Sequence, residues 1–223
     1  MLAFPRLLTA MASPMTPDRT LDLDGAQRLA VHLVDHGNDG IVVAGTTGES
    51  PTLDRRETLD LFRAVVEAVG ERACVLAGCG KNDTAATVEL TRAASALGVD
   101  GVMVVTPYYN RPSQRGLDGH FRAAAAATDL PVLLYNIPSR TACEIAPETL
   151  ALLLMRAEKR RVRKNGVQCF QSHWFYYHEA MAEWKGSDVE VRYSDSDYSR
   201  VWVLLPDHQL CEADHPDLHS QAG

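Results

Sequence analysis

Three short segments carry hydroxyls, phenols and one guanidinium in an order that suits carbonyl chemistry on a small anion. Gly45-Thr-Thr-Gly-Glu-Ser50 has two glycines that free the backbone to curl. Its N–H groups can then point at an anion, and the hydroxyls of Thr46 and Thr47 add donors. The GK[ST] ending of a phosphate-binding P-loop is missing, so a carboxylate is the better guest. Thr106-Pro-Tyr-Tyr-Asn-Arg-Pro112 sets the phenols of Tyr108 and Tyr109 in a loop stiffened by prolines. Leu134-Tyr-Asn-Ile-Pro-Ser-Arg-Thr141 adds the phenol of Tyr135 and the guanidinium of Arg140, which can clamp a carboxylate through two parallel hydrogen bonds. Singly, each segment has a plainer explanation: a tight turn before a helix, a packed tyrosine, a surface arginine. Together they suit a small anionic keto acid, with phenol and threonine hydroxyls relaying protons.

Such a set works only if the chain brings it to one place, and the pattern of the first 154 residues does so. Leu7 to Ala12 is a short apolar run. Helical spacing of Leu23, Ala26, Ala30, Leu33 and Val34 predicts a helix over 22–36, stopped by Gly37. Ile41 to Ala44 reads as a buried strand, and Thr52 as the cap of a helix reaching Val69, with Gly70 behind it. Cys74 to Gly78 is the next strand. Asp83 caps a helix to Leu97, again closed by a glycine, Gly98. Val102 to Val105 and Val132 to Tyr135 are strands, each followed by a helix, over roughly 113–127 and 146–157. Five strand-helix units with short apolar strands call for a parallel sheet buried on both faces. Two architectures satisfy this, an open doubly wound sheet and a (β/α)8 barrel. In both, the C-terminal edge of the strands carries the active site. Thr46, Thr47, Tyr108, Tyr109 and Tyr135 all fall at or just past such ends.

In their order and spacing, GTTGESPTL, VTPYYNRPSQRGL and LYNIPSRT resemble the dihydrodipicolinate synthase family of pyruvate-dependent class I aldolases. The resemblance covers roughly residues 5–154. Thr46-Thr47 and Ser139-Arg140 resemble the synthases more than the sialic acid lyases of the same superfamily. The resemblance implies a (β/α)8 TIM barrel, a cytoplasmic homotetramer, and no cofactor or metal. It implies a lyase of lysine and diaminopimelate biosynthesis that joins pyruvate to L-aspartate-4-semialdehyde through a Schiff base on a lysine. By the same resemblance, Tyr135 passes protons to and from the pyruvyl group. Thr46 and Tyr109 are its relay partners, Tyr109 reaching in from a neighbouring subunit. Thr47 holds the pyruvate carboxylate, and Arg140 orients the carboxylate of the semialdehyde. Another pyruvate-dependent lyase of the superfamily, or a non-catalytic partial barrel, are the alternatives.

The pattern breaks near Met155. Residues 1–154 contain 23 alanines and no tryptophan; residues 155–223 contain five alanines, all three tryptophans and five of the eight histidines. A basic cluster, Arg156, Lys159, Arg160, Arg161, Arg163 and Lys164, follows at once. Counting on from Tyr135, the family's imine lysine falls at Arg163, and arginine stays protonated. Lys164 is adjacent, but one step along a strand turns a side chain to the other face. The Schiff-base lysine is therefore left unassigned. The 69 residues of the tail show no strand-helix rhythm, and Val201 to Leu205 is their best strand. The chain is accordingly expected to be an incomplete barrel of about five units (1–154) with an aberrant or diverged, non-homologous C-terminal tail (155–223). In His173-Trp-Phe-Tyr-Tyr-His178 the histidines stand five apart, off the i, i+4 spacing of a helical metal pair.

Composition excludes several other classes. With 22 Lys+Arg against 29 Asp+Glu, the net charge of -7 argues against nucleic-acid binding by counterion release. No apolar run approaches the roughly 20 residues of a membrane helix, and Met1 to Arg6 is too short and weakly charged for a signal peptide. Five scattered cysteines without a close pair fit neither a disulfide framework nor a zinc site, and make a reducing cytoplasm the default.

Overall fold

Side-chain oxygens start the helices of the N-terminal half. In the computed structural model, which describes residues 5–169, 175–194 and 197–215, Asp22 accepts from the N–H of Gly25 at 2.8 Å. Asp83 accepts from Ala86 at 2.7 Å and Ser113 from Gly116 at 3.2 Å. One cap differs from expectation. The helix predicted to start at Thr52 is capped by Asp54, whose carboxylate accepts from Glu57 N–H at 2.7 Å while Glu57 accepts from Asp54 N–H at 2.9 Å. A reciprocal pair satisfies two orphan donors where a lone threonine satisfies one. Thr52 instead donates its hydroxyl to the Glu49 carbonyl at 2.9 Å.

The chain divides into two units, Met1–Thr149 and Leu150–Gly223. The first runs β1 (Leu8–Ala10), α1 (Leu23–Asp35), β2 (Gly40–Val43), α2 (Arg55–Val69), β3 (Cys74–Gly78), α3 (Thr84–Ser95), β4 (Gly101–Val105), α4 (Gln114–Ala125), β5 (Val132–Tyr135) and a single-turn α5 (Pro138–Thr141). Helix α6 (Pro147–Leu154) spans the boundary. All five strands are parallel and stand in sequence order, β1-β2-β3-β4-β5. That order decides between the two architectures. A doubly wound sheet reverses direction at a switch point; this sheet never does. Right-handed crossovers then place successive helices on one face, and α1 packs on α2, α2 on α3 and α3 on α4. The first unit is a partial (β/α)8 barrel.

Strand alternation separates two apolar layers. Ile41, Val43, Val75, Ala77, Val102 and Val104 are fully buried. Their neighbours Val42, Leu76 and Met103 form a distinct cluster with Leu8, Cys74, Leu133 and Tyr135, the layer that fills the inside of such a barrel. Tyr135 thus belongs to the inner layer at the end of its strand. Close approach of the backbones requires glycine at 78: a Cβ there would lie 2.3 Å from the Ala44 carbonyl oxygen.

His120 of α4, 3% exposed, faces α3. Its Nδ1 lies 2.9 Å from the Thr84 hydroxyl, and its Nε2 has no partner among the described residues. Burial holds its pKa below the ordinary value, opposed by the Asp83 carboxylate. The folded-state pKa is depressed, so between it and the unfolded value of about 6.5 the unfolded chain binds more protons. Stability is therefore present above pH 6.5 or so and is lost as pH falls below it. Urea midpoints measured from pH 7.5 to 5 should decline for the wild type, and the decline should be shallower in His120→Gln. Parallel profiles for the two proteins would remove His120 as the cause.

The second unit contains β6 (Arg156–Arg161), a hairpin of β7 (Val167–Gln168) and β8 (Phe175–Tyr176), and a 3-10 helix (Glu179–Trp184). Then follow β9 (Asp188–Ser194), β10 (Asp197–Leu204) and β11 (Leu210–Asp214). Four of these strands form an antiparallel sheet in the order β11-β10-β9-β6. As expected, no strand-helix unit is found among its described residues. It does have its own core, built from Val189, Val191 and Tyr193 of β9 with Val201, Val203, Cys211 and Ala213. The arginine-rich stretch is the edge strand β6, where charge discourages pairing with other chains. There Glu158 accepts from the Tyr193 hydroxyl at 2.6 Å and pairs with Arg160. His173 and Trp174 lie outside the described residues, while His178 caps the 3-10 helix by accepting from Ala180 N–H at 3.1 Å.

Candidate active site

The Gly45–Ser50 segment leaves β2 through Ala44 in the left-handed region (φ 52°) and turns again at Glu49 (φ 53°). Glu49 N–H donates to Thr46 O at 3.2 Å, and the Ser13 hydroxyl donates to Gly48 O at 2.7 Å. The N–H groups of Thr46, Thr47 and Gly48 donate to nothing among the described residues. Consecutive free N–H groups in a turn form a concavity for an anion. Both threonines are exposed.

Thr46 and Tyr135 line one cavity, together with Ala44, Gly45, Ser50, Gly78, Gly80, Met103 and Val105. The cavity sits at the C-terminal ends of β2 to β5, the edge expected for a site. Thr47, Tyr109 and Arg140 are not in its lining. Arg140 lies exposed on α5, a single helical turn.

Tyr109 is the most exposed large hydrophobic residue among the described residues, at 89%. Its φ is 73°, and the N–H of Asn110 donates to the Tyr108 carbonyl at 2.9 Å. A three-residue turn with positive φ at its centre is strained by about 1–3 kcal/mol for a residue with a Cβ. The loop is tied down by Asn110, whose amide donates to Asn82 O at 2.7 Å.

Beneath the rim lies a buried hydroxyl pair that motif reading missed. Thr106, wholly buried, donates to Thr141 Oγ1 at 3.0 Å. The Thr141 hydroxyl faces two carbonyls, Ile137 at 3.1 Å and Cys143 at 2.9 Å. These bonds pin the loop after β4 to the loop after β5, and so fix the entry of Tyr108-Tyr109 relative to Tyr135. The nearby thiol of Cys79 is no nucleophile: burial pushes its pKa up to about 12.

The sequence matches the Dihydrodipicolinate synthetase family over residues 3–189. The chain belongs to that family. It is 68% identical over 136 residues to the 4-hydroxy-tetrahydrodipicolinate synthase of Moorella thermoacetica, covering 61% of this chain and 47% of that protein. Its structure resembles dihydrodipicolinate synthase from Bacillus anthracis, with a TM-score of 0.66 and 46% identity over 67% of this chain and 51% of the other. It also resembles the chloride-inhibited dihydrodipicolinate synthase of Acinetobacter baumannii complexed with pyruvate, with a TM-score of 0.64, 37% identity, and 66% and 50% coverage. The chain spans about half the length of these relatives. The family match carries on past the composition break at Met155, into the second unit.

By counting on from Tyr135 in the sequence, the imine lysine implied by the resemblance falls at Arg163. Here Arg163 and Gly166 close a tight turn through two reciprocal backbone bonds of 2.8 and 3.1 Å. Lys164 sits at its exposed tip, on no parallel strand. Among the described residues no helix is long and apolar enough to cross a membrane, and no cluster of three or more His, Cys, Asp or Glu could hold a metal.

Proposed function

We propose that residues 1–149 form the carboxylate-binding and proton-relay half of a 4-hydroxy-tetrahydrodipicolinate synthase site. The reaction condenses pyruvate with L-aspartate-4-semialdehyde through a Schiff base, in lysine and diaminopimelate biosynthesis. The observation that carries this reading is the shared cavity of Thr46 and Tyr135, beside three unpartnered N–H groups. A carboxylate seated on those N–H groups, with the Thr47 hydroxyl as a further donor, sets the oxo carbon of pyruvate toward the Tyr135 phenol. Tyr135 is the group that gives and takes the protons of imine formation and enamine attack. Thr46 and Tyr109 extend the relay. The exposure and fixed strained turn of Tyr109 suit a phenol offered to a neighbouring subunit, as in a homotetramer. Arg140 is assigned to the carboxylate of the semialdehyde. The working compartment is the cytoplasm.

Residues 155–223 are read as a diverged or aberrant tail beside a barrel part of 1–154. Their antiparallel sheet supports the distinction, and the family match through residue 189 favours divergence over replacement for 155–189.

Calorimetric titration tests the half-site. The chain should bind pyruvate reversibly, and Thr47→Val should weaken binding about tenfold, the cost of one hydrogen bond to a charged group. Absence of binding at tens of millimolar pyruvate, or equal affinity in Thr47→Val, would overturn the assignment.

A further inference from the structure

The first unit contains one lysine, Lys81, and it is not among the residues assigned above. Its ammonium donates to the carbonyl of Ser50 at 3.1 Å, and Ser50 lines the cavity, as does Gly80 next to Lys81. We infer that Lys81 is a positioning residue that holds the Gly45–Ser50 loop in its anion-ready form through the Ser50 carbonyl. The inference rests on the carboxylate-binding role proposed for that loop.

The root of this side chain is rigid. Lys81 N–H donates to Thr87 Oγ1 at 3.0 Å, and Thr87 is wholly buried on α3. Just before it, the N–H groups of Cys79 and Gly80 donate to Met103 O at 2.9 and 3.3 Å. The end of the loop, by contrast, has few handles. The residue after Ser50 is Pro51, so the Ser50–Pro51 peptide has no N–H, and its carbonyl is the one polar group by which it can be held. Ser50 N–H itself reaches Gly45 O only at 3.4 Å. Ser13 grips the loop at Gly48 from one side, and Lys81 grips it at Ser50 from the other. Both bonds engage carbonyls, leaving the N–H groups of Thr46, Thr47 and Gly48 for a ligand.

The charge of Lys81 has no carboxylate partner among the described residues. Burial lowers its pKa, and among the described residues the one titratable group acting on it is the Cys79 thiol, itself held neutral by burial. An ammonium donating to a carbonyl makes a stronger bond than a neutral donor. An uncompensated cation beside the loop also favours an anionic guest.

Hydrogen exchange by mass spectrometry, with pyruvate titration in parallel, tests this on the full chain. Lys81→Met should speed exchange of the bonded loop amides, those of Glu49, Ser50 and Thr52, about tenfold while leaving those of β3 and β4 unchanged. Lys81→Arg, which can still donate, should stay within about threefold of wild type. Pyruvate affinity should follow the same order. Lys81→Gln, too short to reach Ser50, carries the same expectation as Lys81→Met should the latter not fold. Loop exchange within about twofold of wild type in the folded Met or Gln variant would overturn the inference. Loosening of the loop in a protein that binds no pyruvate would keep the clamp and sink the ligand assignment instead.

Discussion

Treated with pyruvate and borohydride, this chain should form no stable adduct on any of its four lysines. An imine needs a neutral amine at the base of the cavity. Lys159, Lys164 and Lys185 are exposed, and the Lys81 ammonium is engaged by the Ser50 carbonyl. Without the covalent electron sink the hydroxyls of Thr46 and Tyr135 have no enamine to serve. In a coupled assay with pyruvate and L-aspartate-4-semialdehyde, turnover should fall at least about a thousandfold below a typical kcat of ~10 per second. Arg163→Lys should not restore it, because Arg163 closes a tight turn with Gly166 rather than pointing from a parallel strand. Turnover within about tenfold of an ordinary enzyme, or a borohydride adduct, would show that a lysine does reach the site. If the adduct mapped to Lys164, Lys164→Ala should abolish it.

The second large effect is on stability. Gly78→Ala should cost about 3 kcal/mol, the upper end for over-packing. Its new Cβ would meet the Ala44 carbonyl oxygen at 2.3 Å and carbon at 2.8 Å. These are backbone atoms, and Ala44 is already held at positive φ, so neither side can yield cheaply. The clash would part β2 from β3 where Gly45 and Thr46 enter the cavity. Gly119→Ala is the control. Gly119 lies inside α4 with open space around it, and there alanine should be neutral or stabilise by up to about 1 kcal/mol. Urea unfolding should show a midpoint lower by roughly 1–2 M for Gly78→Ala and no loss for Gly119→Ala. Equal midpoints for the two variants would contradict the close approach.

Much of the first unit was readable because its signals are local. Asp83 announces its helix by side-chain capping, and β3 and β5 coincide with their apolar runs. Periodicity carries no information about which neighbour a strand takes; the sequential order was legible only through the three motifs and the (β/α)8 barrel that they imply. The second unit hid for another reason. The core positions of β9, Val189, Val191 and Tyr193, alternate with Asp188, Glu190, Arg192 and Ser194, and beside an arginine-rich edge strand the whole reads as a charged surface. Arg192 itself is buried and pairs with Glu190 at 2.8 Å. At the site, the motifs pointed to hydroxyls and phenols, among them Thr46 and Tyr135, which line one cavity. They could not point to Lys81, Thr106 or Thr141, because a residue that acts by holding a carbonyl or a second hydroxyl has no spacing of its own.

The sequential strand order of the first unit also bears on how the protein is made. Each strand pairs with the one synthesised just before it. A chain emerging from the ribosome can therefore add strand-helix units one at a time, with no early strand waiting for a distant partner. A doubly wound sheet of the same composition would have to add strands on both sides of its first one. The counterpart is that every stage of growth presents one fresh sheet edge. With Val132-Leu-Leu-Tyr135 last in the row and only partly buried, that edge is apolar when the fifth unit arrives, a stage at which a nascent chain needs a chaperone or its own next segment.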